Sequence, residues 1–397
     1  MLVRVGLDRR MVILVADGVG CGGAEDAAAY GDAGADTLAH LAERVGGLAL
    51  PHLEALGLGQ VTTIAGVPPR ADHRGAVGVM AEASAGKDTI TGHWEMAGVV
   101  TAEPFATFPA GFPPEITGPL AAAAGRSLLG NKPASGTAII DELGPAHLAS
   151  GGLIVYTSAD SVLQIAAHEQ VVPLSELYRI CEAARRMADQ HRIGRVIARP
   201  FVGQPGGFRR TYNRKDWPID CPEDTLLDRL SAAGVPVVGV GKIGDIFGGR
   251  GLGRSLHSEG NGDGLRLTLD ALRDLSHGLL FVNLVDFDML YGHRNDCHGF
   301  ARSLEELDAW IPQLLAELGA GDVVFVTADH GNDPTTPGTD HTRERVPLLV
   351  FGPPVLPVAL GVRRSFCDLG QTVAEALGIA PLPRGESFLG RIDGLIQ

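Results

Sequence analysis

Three apolar runs in this chain end in the same way. Met11-Val12-Ile13-Leu14-Val15-Ala16 stops at Asp17, and Leu279-Leu280-Phe281-Val282-Asn283-Leu284-Val285 stops at Asp286-Phe287-Asp288. Val323-Val324-Phe325-Val326 leads through Thr327-Ala328 to Asp329 and His330. Short runs of this kind, bounded by turn-forming residues, read as strands buried on both faces. Such strands belong to parallel sheets covered by helices, and parallel strands share one carboxyl edge, where open α/β sheets bind ligands. The three acidic ends are therefore expected to converge, and the fold class to be α/β.

Imidazoles accompany the acids. Tyr291-Gly292-His293 follows the second run, and Gly338-Thr339-Asp340-His341-Thr342 follows the third. Asp17, Asp286 or Asp288, His293, Asp329, His330 and His341 are too many ligand-type side chains for one ion. They suit two divalent cations, about 3.5–4 Å apart in sites of this kind. Oxygen and imidazole donors match manganese, and zinc fits the same set. A further stretch, Gly86-Lys87-Asp88-Thr89-Ile90-Thr91-Gly92-His93-Trp94-Glu95, lacks the Gly-x4-Gly-Lys-Thr spacing of a P-loop. It places a hydroxyl between Lys and Asp at the start of a helix, which suits a metal-activated nucleophile or a helix cap. Spacing does not choose between Thr89 and Thr91.

Composition narrows the partners. A formal charge of −14 argues against sequence-independent nucleic-acid binding, while an anionic substrate remains compatible with metals and a few Arg. Hydrophobic content of 45% describes a folded globular chain. The five Cys are scattered, with no C-x-x-C pair, which points to a reducing cytoplasm. No signal-peptide pattern is read at the start, and Pro347, Pro353, Pro354 and Pro357 interrupt the longest uncharged apolar run, so no membrane association is expected. Of 33 basic residues only Lys87, Lys132, Lys215 and Lys242 are Lys, which reflects either chance or places where a compact ammonium is required.

A length of 397 residues predicts two domains. Prolines crowd the chain from Val99 onward, and a βα alternation returns near residue 218. The expectation is a core of residues 1–98 and 218–397 interrupted by an inserted domain over 99–217. Within the insert, Leu153–Tyr156 and Arg195–Pro200 read as strands and Ser175–Gln190 as a helix. Residues 66–86 read as loop with short elements, and 248–264 as a mobile loop. Ser303-x-x-Glu306 reads as a capping box, and Pro312 as a kink or break in the helix that follows.

The order of these motifs resembles the alkaline phosphatase superfamily of metalloenzymes and, more narrowly, the prokaryotic phosphopentomutases. The resemblance runs nearly end to end. It includes Gly31-Asp32-Ala33-Gly34-Ala35-Asp36-Thr37-Leu38, Asn131-Lys132-Pro133-Ala134-Ser135-Gly136-Thr137, Tyr156-Thr157-Ser158-Ala159-Asp160-Ser161 and Asp340-His341-Thr342-Arg343-Glu344. It implies a phosphatase-like α/β core with a mainly parallel sheet flanked by helices, plus a smaller inserted α/β cap. It also implies an isomerase acting on sugar phosphates, with no obligate protein partner. By position, Asp17, Asp329 and His330 would hold one manganese with Thr89 bridging, and Asp288, His293 and His341 the other. Thr89 would carry the phosphoryl group. Asp160, Arg199, Arg214 and Lys242 would receive the sugar and its non-reacting phosphate, Arg210 being the alternative to Arg214. A sugar bisphosphate would prime the enzyme. Gly18 replaces a common Ser and Ala138 a common acid, and neither change removes a ligand.

Overall fold

The computed structural model describes residues 9–158 and 161–395. The chain divides into two compact units. One comprises the chain up to Pro104 together with Cys221 onward, and the other is Phe105–Asp220. The second unit thus starts and ends a few residues later than composition suggested.

The first unit contributes β1 (Arg10–Ala16) and β2 (Ala76–Met80) before the chain enters the second. There it forms β3 (Leu128–Pro133), β4 (Leu153–Thr157), β5 (Val162–His168), β6 (Arg195–Val202), β7 (Arg209–Arg210) and β8 (Lys215–Pro218). Back in the first unit follow β9 (Val237–Val240), β10 (Arg254–Leu256), β11 (Gly278–Leu284), β12 (Val323–Thr327), β13 (Val346–Phe351) and β14 (Ala359–Arg363).

The core sheet has the order β10-β9-β11-β1-β12-β13-β2-β14, and β13 alone runs antiparallel to its neighbours. β1 lies between β11 and β12, and its register aligns Ala16 with Leu284 and Val15 with Thr327. That alignment brings the carboxyl ends of the three acid-tipped strands level. Every residue of β11 and β12 is buried, because helices cover both faces of a parallel sheet.

The inserted unit is a mixed sheet, ordered β3-β4-β5-β6-β7 with β8 also on β6. The Leu174–Gln190 helix buries Leu177, Ile180, Cys181 and Ala184 in that unit's core. Its apolar residues fall at i, i+3, i+4 and i+7, so one stripe faces the sheet.

β2 is a short element within the 66–86 stretch, and its Gly78 is required because a side chain there would meet the Gly361 carbonyl oxygen at 2.6 Å. Several other local readings change. The region 248–264 contains β10 and the start of the Asn261–Asp274 helix, so a mobile loop is not what the sequence forms there. Ser303 is no cap. It lies inside the Cys297–Ala316 helix, whose N-cap Asp296 accepts from Gly299 N at 2.9 Å, while buried Ser303 accepts from Asn261 Nδ2 at 3.0 Å. The same helix continues through Pro312 as one element. No described helix is long and apolar enough to cross a membrane.

Phe281 of β11 is wholly buried, with its ring 5.6 Å from His93 and 5.9 Å from Phe247. Phe281→Ala leaves a cavity behind the acid-tipped strands and is expected to cost about 3–5 kcal/mol, read as a lowered urea midpoint of the core transition.

Candidate metal centre

β1 ends at Ala16, and Asp17 turns into Gly18, whose φ of +79° a side chain rarely adopts. β12 delivers Asp329 and His330 beside it. Ligand atoms of Asp17, Asp329 and His330 lie within 4.8 Å of one another, and all three residues are buried. His330 Nε2 is 3.4 Å from Asp17 Oδ1 and 3.5 Å from Asp329 Oδ2.

β11 runs into a wide helical turn, Phe287–Tyr291, followed by the tighter turn Gly292–Arg294. These turns carry Asp288 and His293, which with His341 make a second triad on the same distance criterion. Asp288 Oδ1 lies 3.2 Å from His341 Nε2, and its Oδ2 lies 3.2 Å from His293 Nε2. The alternative acid, Asp286, points elsewhere and accepts from Asn261 N at 2.6 Å. The two triads adjoin, since the rings of His330 and His341 stack with centroids 3.9 Å apart. The six side chains therefore form one cluster.

Hydrogen bonds around the cluster aim its donors inward. His293 Nδ1 lies 2.6 Å from the Thr339 carbonyl oxygen and His330 Nδ1 3.1 Å from that of Gly331. A carbonyl accepts only, so each Nδ1 carries the proton and each Nε2 keeps a lone pair towards the carboxylates. Asn283 Nδ2 donates to Asp17 Oδ2 at 2.9 Å, and Asn332 Nδ2 to Asp288 Oδ1 at 2.6 Å. Both amides escape a sequence reading, Asn283 because it sits inside an apolar strand and Asn332 because it sits in a loop of small polar residues. Glu344 escapes it too. Its buried carboxylate accepts from Gly22 N, Thr37 N, Thr37 Oγ1 and Thr342 Oγ1, tying the turn after Asp17 to the segment after His341.

The charges are not balanced by protein alone. Burial and the nearby Asp329 push Asp17 up to about 7, against the pull of Lys242, whose Nζ is 3.8 Å from Asp17 Oδ2. Burial acts on Asp329 in the same sense, but His330 and His93 outweigh it and bring that carboxyl to about 2. Asp288 is held well below the usual carboxylate range, since His341 and His293 overcome its burial. Burial drives His330 down to about 4, so its imidazole is neutral near pH 7. Asp17 Oδ1, fully buried, has no hydrogen-bond partner among the described residues, and Asp329 Oδ2 meets His93 Nδ1 only at a long 3.3 Å. Under-satisfied buried carboxylate oxygens beside lone-pair imidazoles, without sulfur, fit a hard or borderline divalent cation.

Thr89 opens the Thr89–Met96 helix, with Asp88 as its N-cap accepting from Ile90 N and Thr91 N. The Thr89 hydroxyl lies 3.3 Å from His330 Nε2, whereas the buried Thr91 hydroxyl is bound to Asp88. Geometry thus separates the two threonines. Gly92 permits the approach, because a methyl group there would meet the Asp329 carbonyl oxygen at 2.2 Å. His93 reaches back from the next turn to the Thr89 carbonyl oxygen at 2.8 Å and to Asp329 Oδ2 at 3.3 Å.

The remaining candidates lie apart in the chain. Arg199 sits within β6 and donates to Gln164 Oε1 at 3.0 Å. Burial and the adjacent Arg214 lower it to about 10. Arg214 precedes β8 and clasps Asp216 at 2.7 and 2.6 Å, whereas Arg210 is on exposed β7. Asp160 lies outside the described residues.

A buried cluster of acids and imidazoles on the carboxyl edge of an α/β sheet defines a metalloenzyme, and the family comparison agrees. A family model described as the metalloenzyme superfamily matches residues 9–381, and the chain belongs to that superfamily. The phosphopentomutase of Anaeromyxobacter sp. (strain Fw109-5) is 58% identical over 383 residues, covering 96% of this chain and 98% of the relative. Those of Syntrophotalea carbinolica and Desulfitobacterium hafniense (strain Y51) are 54% and 53% identical over 386 residues, each covering 97% of this chain and 98% and 100% of the relative. The chain is a member of the phosphopentomutase family, and so an isomerase.

Two expectations follow. Below about pH 7 the metal-free Asp17 holds a proton that a cation must displace. Apparent metal affinity should therefore weaken as pH falls through 7, by up to about tenfold per unit, in metal titrations at pH 8 and pH 6. Gly92→Ala should cost about 1–3 kcal/mol and lower turnover by roughly 10²-fold, because the helix bearing Thr89 must move off Asp329. Thermal unfolding and steady-state assay would measure the two effects.

Proposed function

We propose that this chain interconverts ribose 1-phosphate, and 2-deoxyribose 1-phosphate, with the corresponding 5-phosphate through phosphothreonine at Thr89 and a 1,5-bisphosphate. The observation that carries the reading is the Thr89 hydroxyl at a helix N-terminus, 3.3 Å from the imidazole of a buried acid–imidazole cluster. Asp17, Asp329 and His330 would hold one Mn²⁺, and Asp288, His293 and His341 the other, with the Thr89 hydroxyl beside His330. When bound, two such cations supply charge neutralisation for a phosphoryl group and favour the alkoxide form of a hydroxyl.

The chain's own residues do the rest. The positive end of the Thr89–Met96 helix dipole favours negative charge on Thr89 and on phosphate attached to it. Phosphorylated Thr89 gives its phosphoryl group to the anomeric hydroxyl of ribose 5-phosphate. The Thr Oγ–P bond breaks, the sugar O1–P bond forms, and the hydroxyl proton ends on Thr89. The 1,5-bisphosphate then returns its 5-phosphoryl group to Thr89: the sugar O5–P bond breaks, the Thr Oγ–P bond re-forms, the Thr89 hydroxyl proton passes to O5, and the sugar leaves as the 1-phosphate. A sugar bisphosphate supplies the first phosphoryl group. Arg199 and Arg214, adjacent cations in the inserted unit, would take the non-reacting phosphate, with Asp160 and Lys242 on the sugar. This reading assigns to the inserted unit the exclusion of water, since hydrolysis of phosphothreonine gives a phosphatase instead. The five cysteines are all free thiols, which suits work in the reducing cytoplasm. Small sugar phosphates are the proposed partners, without nucleic acid, membrane or an obligate protein.

Mass spectrometry after incubation with a sugar bisphosphate should find phosphate on Thr89. Thr89→Ala should retain both metal equivalents by elemental analysis and lose turnover by about 10⁴-fold or more. Phosphate on another residue, release of inorganic phosphate, or isomerisation of 3-phosphoglycerate in place of ribose 1-phosphate overturns the assignment.

A further inference from the structure

The segment from Glu82 to Asp88 forms no helix or strand, yet it carries the helix that begins at Thr89. Glu95 of that helix accepts from Ala83 N at 2.9 Å and Ser84 N at 2.6 Å, and one side chain from the far end of the chain takes the segment's carbonyls. Arg343, two residues after His341, is buried, and all five of its guanidinium N–H groups find acceptors. Nη1 donates to Glu82 Oε2 at 2.7 Å and to the Gly86 carbonyl oxygen at 2.6 Å. Nη2 donates to the Glu82 carbonyl oxygen at 2.8 Å and to Asp26 Oδ2 at 3.0 Å, and Nε donates to Asp26 Oδ1 at 3.1 Å.

The face of the guanidinium lies 4.8 Å from the centre of the Tyr30 ring, and the Tyr30 hydroxyl donates to the Ala85 carbonyl oxygen at 2.9 Å. Three backbone carbonyls of the segment, at Glu82, Ala85 and Gly86, are thus fixed by one cation and the phenol stacked on it. The Arg343 backbone joins in. Its N–H donates to Asp32 Oδ2 at 2.8 Å, and the same oxygen accepts from Lys87 Nζ at 3.0 Å. A planar fork with five donors fits this set of acceptors, and an ammonium with three does not.

We propose that Arg343 is a positioning residue for phosphoryl transfer. It clamps the Glu82–Gly86 segment so that Thr89 stands at a set height over the cluster, and it links the nucleophile's loop to the loop of His341. The proposal rests on the reading of Thr89 as nucleophile for its kinetic consequence, though not for the clamp itself. Packing alone would be served by any buried cation, whereas alignment of one hydroxyl against a phosphorus atom tolerates less than about 1 Å of drift.

The test uses the metal-loaded full chain, wild type against Arg343→Lys, with Tyr30→Phe as a second variant that keeps the stacked ring and removes only the bond to Ala85. Amide hydrogen exchange reads the clamp. Exchange across residues 82–92 should rise about tenfold or more in Arg343→Lys and less in Tyr30→Phe, while β1 and β12 keep wild-type protection. Kinetics read its purpose: kcat should fall about thirtyfold or more at full metal content, with KM for ribose 1-phosphate within about threefold. Wild-type exchange at 82–92 in both variants, or losses of metal, KM and kcat together, overturns the positioning role. Should Arg343→Lys fail to fold, the same readouts on Tyr30→Phe decide. Failure of wild type to take phosphate on Thr89 strikes the proposed function instead, and leaves the exchange result to judge the clamp.

Discussion

Three carboxylates, Asp17, Asp288 and Asp329, are buried together at the carboxyl edge of one sheet, and protein groups do not fully neutralise them. Like charges in a low-dielectric interior repel strongly, so either a proton or a cation must sit among them. The rise of Asp17 to about 7 is the proton's answer. The surrounding structure favours the cation. Two imidazoles have their Nδ1 protons committed to carbonyls, and asparagine amides, which add no charge, orient two of the acids. Glycines let backbone pass where side chains would collide, as Gly92 does against Asp329. Removing the need for that central charge would leave most of these contacts without a physical reason.

How much of this could be read from the chain differs from element to element. Strands ending in acids were legible, because long apolar side chains followed by an abrupt Asp leave a pattern that composition does not blur. So was the α/β class, which the mainly parallel core sheet bears out. The register that brings Ala16, Leu284 and Thr327 level was not, since pairing depends on which strand lies beside which. Between Asp286 and Asp288, and between Thr89 and Thr91, spacing alone was silent. In the fold Asp286 and Thr91 are engaged elsewhere, with Asn261 and with Asp88.

The missed features share a cause. The place of β2 among the short elements of 66–86 was hidden, since it is short and interrupted by Gly78 and its burial comes from neighbours rather than from its own periodicity. Ser303 has the sequence neighbours of a cap, yet a tertiary partner, Asn261, takes its hydroxyl in mid-helix. Asn283, Asn332, Glu344 and Arg343 act through partners hundreds of residues away or in irregular loops, and no local pattern announces such pairs. The acids and imidazoles that the sequence offers as ligands, with Asp288 taken over Asp286, come together as two adjoining triads. Their occupancy by manganese, and the roles of Arg199, Arg214 and Lys242, belong to the proposed function.

The placement of β1 has a consequence for how the protein is made. β1 leaves the ribosome before the strands that flank it, Gly278–Leu284 and Val323–Thr327, which are encoded some 260 to 310 residues later. At about 5–20 residues per second the nascent chain therefore carries Met11-Val12-Ile13-Leu14-Val15 with both edges open for roughly 15 to 60 seconds. A short, uncharged, β-prone segment left open for that long is a natural client for a holding chaperone and a seed for aggregation when none is at hand.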